Sequence, residues 1–200
     1  SVSVLQQLTS ERAILKRAIR DTSAKGATSL HNAIYISLKQ FAKSARDGDD
    51  VRRQAIVVLS DGADTSSLVS FDDVLGLARR TGVNIYTVAL QSRHAAQRAE
   101  HAGRKYFSES DYSMKALARE TGAQSFFPSP EELKGVYGAI ATELASQYSI
   151  GYVPRNVRGD GKYRRVIVRV ANRPELKPRT RTWGFLTVDT VASGSMDQER

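Results

Sequence analysis

The sequence predicts an α/β protein with a doubly wound, mostly parallel sheet, helices on both of its faces and an antiparallel β extension at the C-terminal end. Three observations predict it. Ala55-Ile56-Val57-Val58-Leu59 is an unbroken apolar run, β-branched at its centre and closed by Ser60-Asp61-Gly62, which reads as a strand buried on both faces. Runs of this kind then alternate with helical patterns as far as residue 145. Beyond residue 147 the character changes to β-rich segments around the turn signal Arg158-Gly159-Asp160-Gly161.

Val2 and Val4 alternate as in a short strand, and Ile14, Leu15, Ala18 and Ile19 follow at helical spacing behind Thr9 and Ser10 as N-caps. A second helix is marked by Ala33, Ile34, Ser37, Leu38, Phe41, Ala42 and Ala45 and ends at Asp47-Gly48-Asp49-Asp50. After the strand at 55–59, residues 71–81 carry Val74, Leu77 and Ala78 on one face, Gly82 stops that helix, and 83–90 (VNIYTVAL) is the next strand. The cycle repeats with a helix at 114–120, Gly122 as its stop, and a strand at 123–127. Pro128-Ser129-Pro130 then introduces a helix at 131–145. In the tail, 147–153, 163–170 and 180–188 read as strands, with Tyr163, Val166, Val168 and Val170 alternating imperfectly with basic residues. Residues 1–146 are therefore expected to form the α/β domain, 147–188 a basic β extension and 189–200 a flexible tail.

Length and composition agree with a globular chain: 200 residues, 40% of them hydrophobic, support one domain with a sizeable core and a short appendage. No stretch approaches the roughly eighteen apolar residues of a membrane span, and the first twenty lack the order of a signal peptide. The absence of cysteine removes disulfides, thiolate nucleophiles and cysteine metal sites without choosing a compartment. The net charge of +9 is concentrated in 155–181. Arg155, Arg158, Lys162, Arg164, Arg165, Arg169, Arg173, Lys177, Arg179 and Arg181 stand there against only Asp160 and Glu175. Such a face attracts acidic proteins, anionic surfaces or nucleic acid, or simply keeps the protein soluble.

Two loops carry the candidate chemistry. Gly26-Ala27-Thr28-Ser29-Leu30 presents a hydroxyl just before a helix, and Ser60-Asp61-Gly62-Ala63-Asp64 presents a carboxylate just after a strand. In this order, with VNIYTVAL and Thr121-Gly122-Ala123 behind them, the segments resemble the von Willebrand factor A (VWA) family. The later portion, FFPSPEELKGVYGAIATELASQYSIGYVP followed by RGDGKYRRVIVRV and RPELKPRTRTWGF, is similar to the VWFA-related proteins common in acidobacteria. The resemblance implies a Rossmann-like sheet and a metal-ion-dependent adhesion site, where oxygen ligands from three loops hold Mg²⁺ or Mn²⁺ and a partner's acidic residue completes the shell. By that match Thr28 is the second-loop hydroxyl and Asp61 the third-loop carboxylate, while His31, Asp64 and Thr65 would tune the partner contact. The family's first loop, Asp-x-Ser-x-Ser, has no counterpart, so the metal site is expected to be incomplete. Phe185 to Met196 resembles a stretched version of that loop with the serines two residues late, and a flexible tail accounts for it better. The plain alternatives to these roles are an N-cap for Thr28 and a turn residue for Asp61.

Other motifs carry less. His94 and His101, with Glu100 between them, lack a third ligand for a metal, and Arg158-Gly159-Asp160 is ordinary hairpin chemistry. No phosphate-binding glycine loop, nucleophile elbow or paired carboxylates appear, so catalysis is not expected. The expected function is protein-protein or adhesion-type recognition, and the resemblance further implies an extracytoplasmic location. The alternative is polyanion binding through the basic extension, although no nucleic-acid-binding signature is present. A sheet edge left open at the missing strand would invite homo-oligomers or strand exchange.

Overall fold

The computed structural model describes residues 2–23, 26–44, 53–89, 109–148, 163–173, 175–176, 178–181 and 183–185. Along the chain lie α1 (Arg12–Arg20), α2 (Leu30–Ser44), β1 (Ala55–Ser60), α3 (Phe71–Thr81), β2 (Asn84–Ala89), α4 (Glu109–Glu120), β3 (Ser125–Phe126), α5 (Leu133–Ala145), β4 (Tyr163–Arg165) and β5 (Trp183–Phe185). The predicted alternation of strands and helices holds, with boundaries moved. The helix before Gly122 begins five residues earlier than its apolar pattern, and the strand after it shrinks to two residues.

β1, β2 and β3 form a parallel sheet in sequence order, Ala55 pairing with Asn84 through Ser60 with Ala89, and Thr87 and Val88 pairing with Ser125 and Phe126. The side chains of β2 alternate across the sheet. Ile85 joins Ile34, Leu38, Val58, Val74, Leu77, Met114 and Leu117 from α2, β1, α3 and α4 in one core. Tyr86 and Val88 join Ala118, Ala123, Val136 and Ile140 in the other, covered by α5. Helices thus flank both faces of β2, the strand at the centre of the sheet.

β1 departs from expectation. A strand covered on both faces was predicted, but Val57 and Leu59 are 39% and 46% exposed while Val58 between them is buried. On their side α5 covers β2 and reaches β1 only at Ala55. β1 is also the outer strand, with no described neighbour beyond it.

The N-terminal region departs as well. Residues 2–4 form no strand. The helix predicted behind them forms as α1, yet buries none of its residues, and Ile14, Leu15 and Ile19 are exposed. Its N-cap is Glu11 without a side-chain cap bond, and the Thr9 hydroxyl accepts the Glu11 N–H outside the helix instead.

α3 shows how local signals were met. Ser70 Oγ accepts from the Asp73 N–H at 3.1 Å and the Asp73 carboxylate accepts from the Ser70 N–H, a reciprocal capping box. Gly82 closes the helix in the left-handed region at φ 69°. Gly122, at φ 77°, plays the same part after α4.

Among the described residues of the extension, Tyr163–Arg165 and Trp183–Phe185 pair, antiparallel, with Arg164 opposite Gly184; residues 166–170 form no strand, and 186–200, with the end of the third predicted strand and the tail, lie outside the described residues. Of the first predicted extension strand, 149–153 lies outside the described residues. What ties this segment to the sheet is a group of polar contacts. Arg181 donates to the Gly82 carbonyl and to Asn84 Oδ1, and Arg179 donates to Gln124 Oε1 at 2.7 Å and is ion-paired with Glu143. Gly82 and Gly122 precede β2 and β3, so the extension docks at the amino end of the strands. Arg53, just before β1, caps the same end by donating to the carbonyls of Leu144, Ala145 and Gln147 at the C-terminus of α5.

Candidate functional site

The opposite, carboxyl end of β1 carries the two predicted loops, in the position where open α/β sheets bind ligands. Ser60 ends β1, and residues 61–70 lead to α3 across the start of α2. Hydrogen bonds lace the loops together. Thr28 N–H donates to Thr65 Oγ1 at 2.9 Å, and the Thr28 carbonyl accepts from the N–H groups of Thr65 and Ser66. The Ser29 and Ser66 hydroxyls lie 2.7 Å apart. Asn32 N–H donates to Ser67 Oγ at 3.0 Å, and Asn32 Oδ1 accepts from the N–H groups of Leu68 and Val69.

Asp64 is the centre of this lacing. Its Oδ2 accepts the His31 N–H at 2.9 Å and its Oδ1 accepts the N–H groups of Ser66 and Ser67. The first turn of α2 has backbone donors with no partner inside the helix. Asp64 and Ser67, more than thirty residues away in sequence, supply acceptors for those of His31 and Asn32. The alternative role of Thr28 as an N-cap is therefore not the device used for these donors, since carboxylate and hydroxyl come from the other loop. His31 Nδ1 also lies 3.1 Å from Asp64 Oδ2, and the ring packs at 5.9 Å against Phe71. Burial pushes the Asp64 carboxyl up, but the hydrogen bonds from His31, Ser67 and Ser66 outweigh it and hold the group at about 2.

Thr28 and Asp61 are both exposed, whereas His31, Asp64 and Ser67 are half-buried. Asp61 Oδ1 accepts from the Ala63 N–H at 3.2 Å, an Asx-type turn that fixes the carboxylate beside the end of the strand. Ser60 Oγ accepts from the Gly62 N–H, and Gly62, at φ 82°, lies against Ser110 and Met114 of α4. The sequence singled out Thr28, His31, Asp61, Asp64 and Thr65, and the fold brings the Thr28 and Asp61 loops to one end of the sheet. It places Asp64 and Thr65 in the stitching between loops. Ser29, Asn32, Ser66 and Ser67 were not anticipated; for the last two the run Asp64-Thr65-Ser66-Ser67 was the only signal, and such runs suit any loop.

As a metal centre the described donors fall short. Thr28 and Asp61 offer one hydroxyl and one carboxylate, and no group of three His, Asp or Glu able to hold a metal occurs among the described residues. A hard divalent ion takes six or more oxygens, typically with more than one carboxylate or several waters. Of the basic face, Arg179 and Arg181 are engaged in attaching the extension and Arg169 is exposed; Arg155, Arg158, Lys162 and Lys177, the side chains of Arg164 and Arg165, and His94 and His101 lie outside what is described.

A parallel sheet flanked by helices, with paired loops at the carboxyl end of its strands, defines a Rossmann-like α/β domain. The von Willebrand factor type A domain family matches residues 1–121, and the chain belongs to that family. Its membership makes it a protein-interaction or adhesion-type module. No curated protein matches the chain. Among solved structures it is similar to an uncharacterized membrane spanning protein from Vibrio fischeri, at 22% identity and a TM-score of 0.36, over 68% of this chain and 67% of that one. Among the described residues no helix is long and apolar enough to cross a membrane.

Proposed function

We propose that this chain is a non-catalytic recognition module whose contact surface is the loop face at the carboxyl end of β1, and whose partner is a protein offering an acidic side chain. The observation that carries this reading is the lacing of two loops into one unit, with Thr28 and Asp61 exposed on it. Lacing of this kind lowers the ordering cost of binding, because the loops are already held in one arrangement. In this reading Asp64, Thr65 and His31 act by shaping the surface. Mg²⁺ or Mn²⁺ bound there would take the Thr28 hydroxyl and the Asp61 carboxylate, with its remaining oxygens from water, from the partner and from outside the described residues. The extracytoplasmic location implied by the resemblance belongs to the same proposal.

The test is calorimetric titration of Mg²⁺ and Mn²⁺ into the purified chain, with and without a short Asp-containing peptide, beside Asp61→Ala and EDTA-treated samples. Saturable binding that disappears in Asp61→Ala supports the metal-bridged contact. Absence of binding in every arm removes the metal from the proposal and leaves direct contact through the loops. Polyanion binding is the weaker reading, since two of the cations it relied on are engaged internally.

A further inference from the structure

The C-termini of α3, α4 and α5 lie at the amino end of the sheet, so the negative ends of three helix dipoles gather there. α3 and α4 carry cations for that position in their own last turns, Arg79 and Arg80 in the first and Arg119 in the second. α5 has none, and its last turn holds a carboxylate, Glu143, where the dipole disfavours one. Two arginines from outside the helix supply what is missing. Arg53 donates to the carbonyls of Leu144, Ala145 and Gln147, and Arg179 is ion-paired with Glu143.

Glu143 is shared between the extension and the centre of the sheet. Its Oε1 accepts the Tyr86 hydroxyl at 2.7 Å, and Gln147 Nε2 donates to that hydroxyl at 3.2 Å. Tyr86 is fully buried in β2. Burial, and after it the Glu143 carboxylate, pushes its phenol up, so it remains a donor. Glu143 Oε2 faces Arg179, whose guanidinium also reaches Gln124 just before β3. The backbone at Thr180 and Arg181 lies on Gly122, and Arg181 donates to the Gly82 carbonyl and to Asn84 Oδ1. Three consecutive residues of the extension thus touch the ends of all three helices.

We propose that residues 179–181 are a salt-sensitive strap, which when closed holds the last turn of α5 on β2 through Glu143 and which opens at Arg179 as ionic strength rises. Arg179 is the place to open because the side chains of its ion pair are 42% and 24% exposed, within reach of screening ions. Arg181 bonds a carbonyl and an amide oxygen, neutral acceptors that salt screens far less. Once Arg179 leaves, Glu143 stands as an unpaired carboxylate at the negative end of its helix, beside a buried phenol. The last turn of α5 is therefore the part that responds. The strap lies at the end of the sheet opposite the Thr28 and Asp61 loops and stands independently of the reading of that face.

Amide hydrogen exchange on the full chain, read by mass spectrometry, tests this. Arg179→Gln keeps a hydrogen-bonding amide and removes the charge. Exchange in residues 142–147 should speed up roughly three- to tenfold, while the first turn of α2 at the loop face exchanges as in the wild type. In a Glu143→Gln background the same substitution should add little, since its partner no longer carries charge. Raising NaCl from about 0.1 M to about 1 M should reproduce the effect in the wild type and change little more in Arg179→Gln. Arg169→Gln, at an exposed arginine of the same extension, is the control. Exchange in 142–147 that is unchanged in Arg179→Gln, or raised equally by Arg169→Gln, overturns the proposal, as does a wild type whose exchange there is indifferent to salt. If Arg179→Gln does not fold, the salt series on the wild type decides alone.

Discussion

Replacing Asp64 with alanine removes the acceptor for the N–H groups of His31, Ser66 and Ser67 together. Loss of a helix N-cap costs about 1 kcal/mol, and a hydrogen bond to a charged group contributes about 1.5–3 kcal/mol net when it is shielded from water. Ser66 is exposed, so water replaces much of its bond; His31 and Ser67 are half-buried and recover less. The expected loss is about 2–3 kcal/mol. Asp64→Asn keeps an acceptor oxygen but not the charge and should lose about half of that. The pH dependence has a definite sign. The folded carboxyl titrates at about 2, below its ordinary 3.8. Its contribution is therefore complete above the unfolded value and is lost as pH falls through about 2. After solvent screening this is on the order of 1–2 kcal/mol. Urea unfolding followed by circular dichroism, at pH 7 and at steps down to pH 2, measures both effects. An Asp64→Ala midpoint equivalent to less than 0.5 kcal/mol, on the order of an ordinary surface substitution, would refute the claim that Asp64 holds the two loops together. A wild type and Asp64→Asn of parallel acid profiles would refute the electrostatic part.

Other consequences follow from the amino end of the sheet. A methyl group at Gly122 would lie 2.9 Å from the Arg181 backbone nitrogen, whereas at Gly82 it would meet the movable Arg181 guanidinium at 2.5 Å. Both positions have positive φ, so each alanine variant should lose at least about 1 kcal/mol, with Gly122→Ala the larger because backbone cannot swing aside. Thermal melts of the two variants give the comparison. Arg53→Ala should cost about 1–2 kcal/mol by uncapping the last carbonyls of α5, and amide hydrogen exchange should show the loss first in the final turn of that helix.

Much of the fold is legible in periodicity alone, because alternation of apolar strands with striped helices leaves few topologies that bury both. Gly82 and Gly122 announced their helix ends because only glycine takes the left-handed conformation without cost. The Ser70–Asp73 cap is equally local, since both halves of the box lie within one turn. The site was legible in part. Thr28 and Asp61 were singled out by the family resemblance, and Asp64 and Thr65 as groups tuning the partner contact; that the latter two stitch the loops together depends on partners more than thirty residues away.

What the sequence by itself determined was the class of fold and the order of its elements, which follow from local pattern and short-range conformational preference; the pairing of the Thr28 and Asp61 loops came from the family resemblance. What only the tertiary structure decided was which surfaces are left uncovered and which charges are already engaged. Val57 and Leu59 belong to a run that reads as doubly buried, yet burial depends on how far α5 extends over its neighbours. Arg179 and Arg181 read as part of a basic face, yet a guanidinium becomes an anchor only when the chain returns it to a distant carbonyl or carboxylate. Packing and long-range pairing are properties of the assembled chain, and no window of sequence contains them.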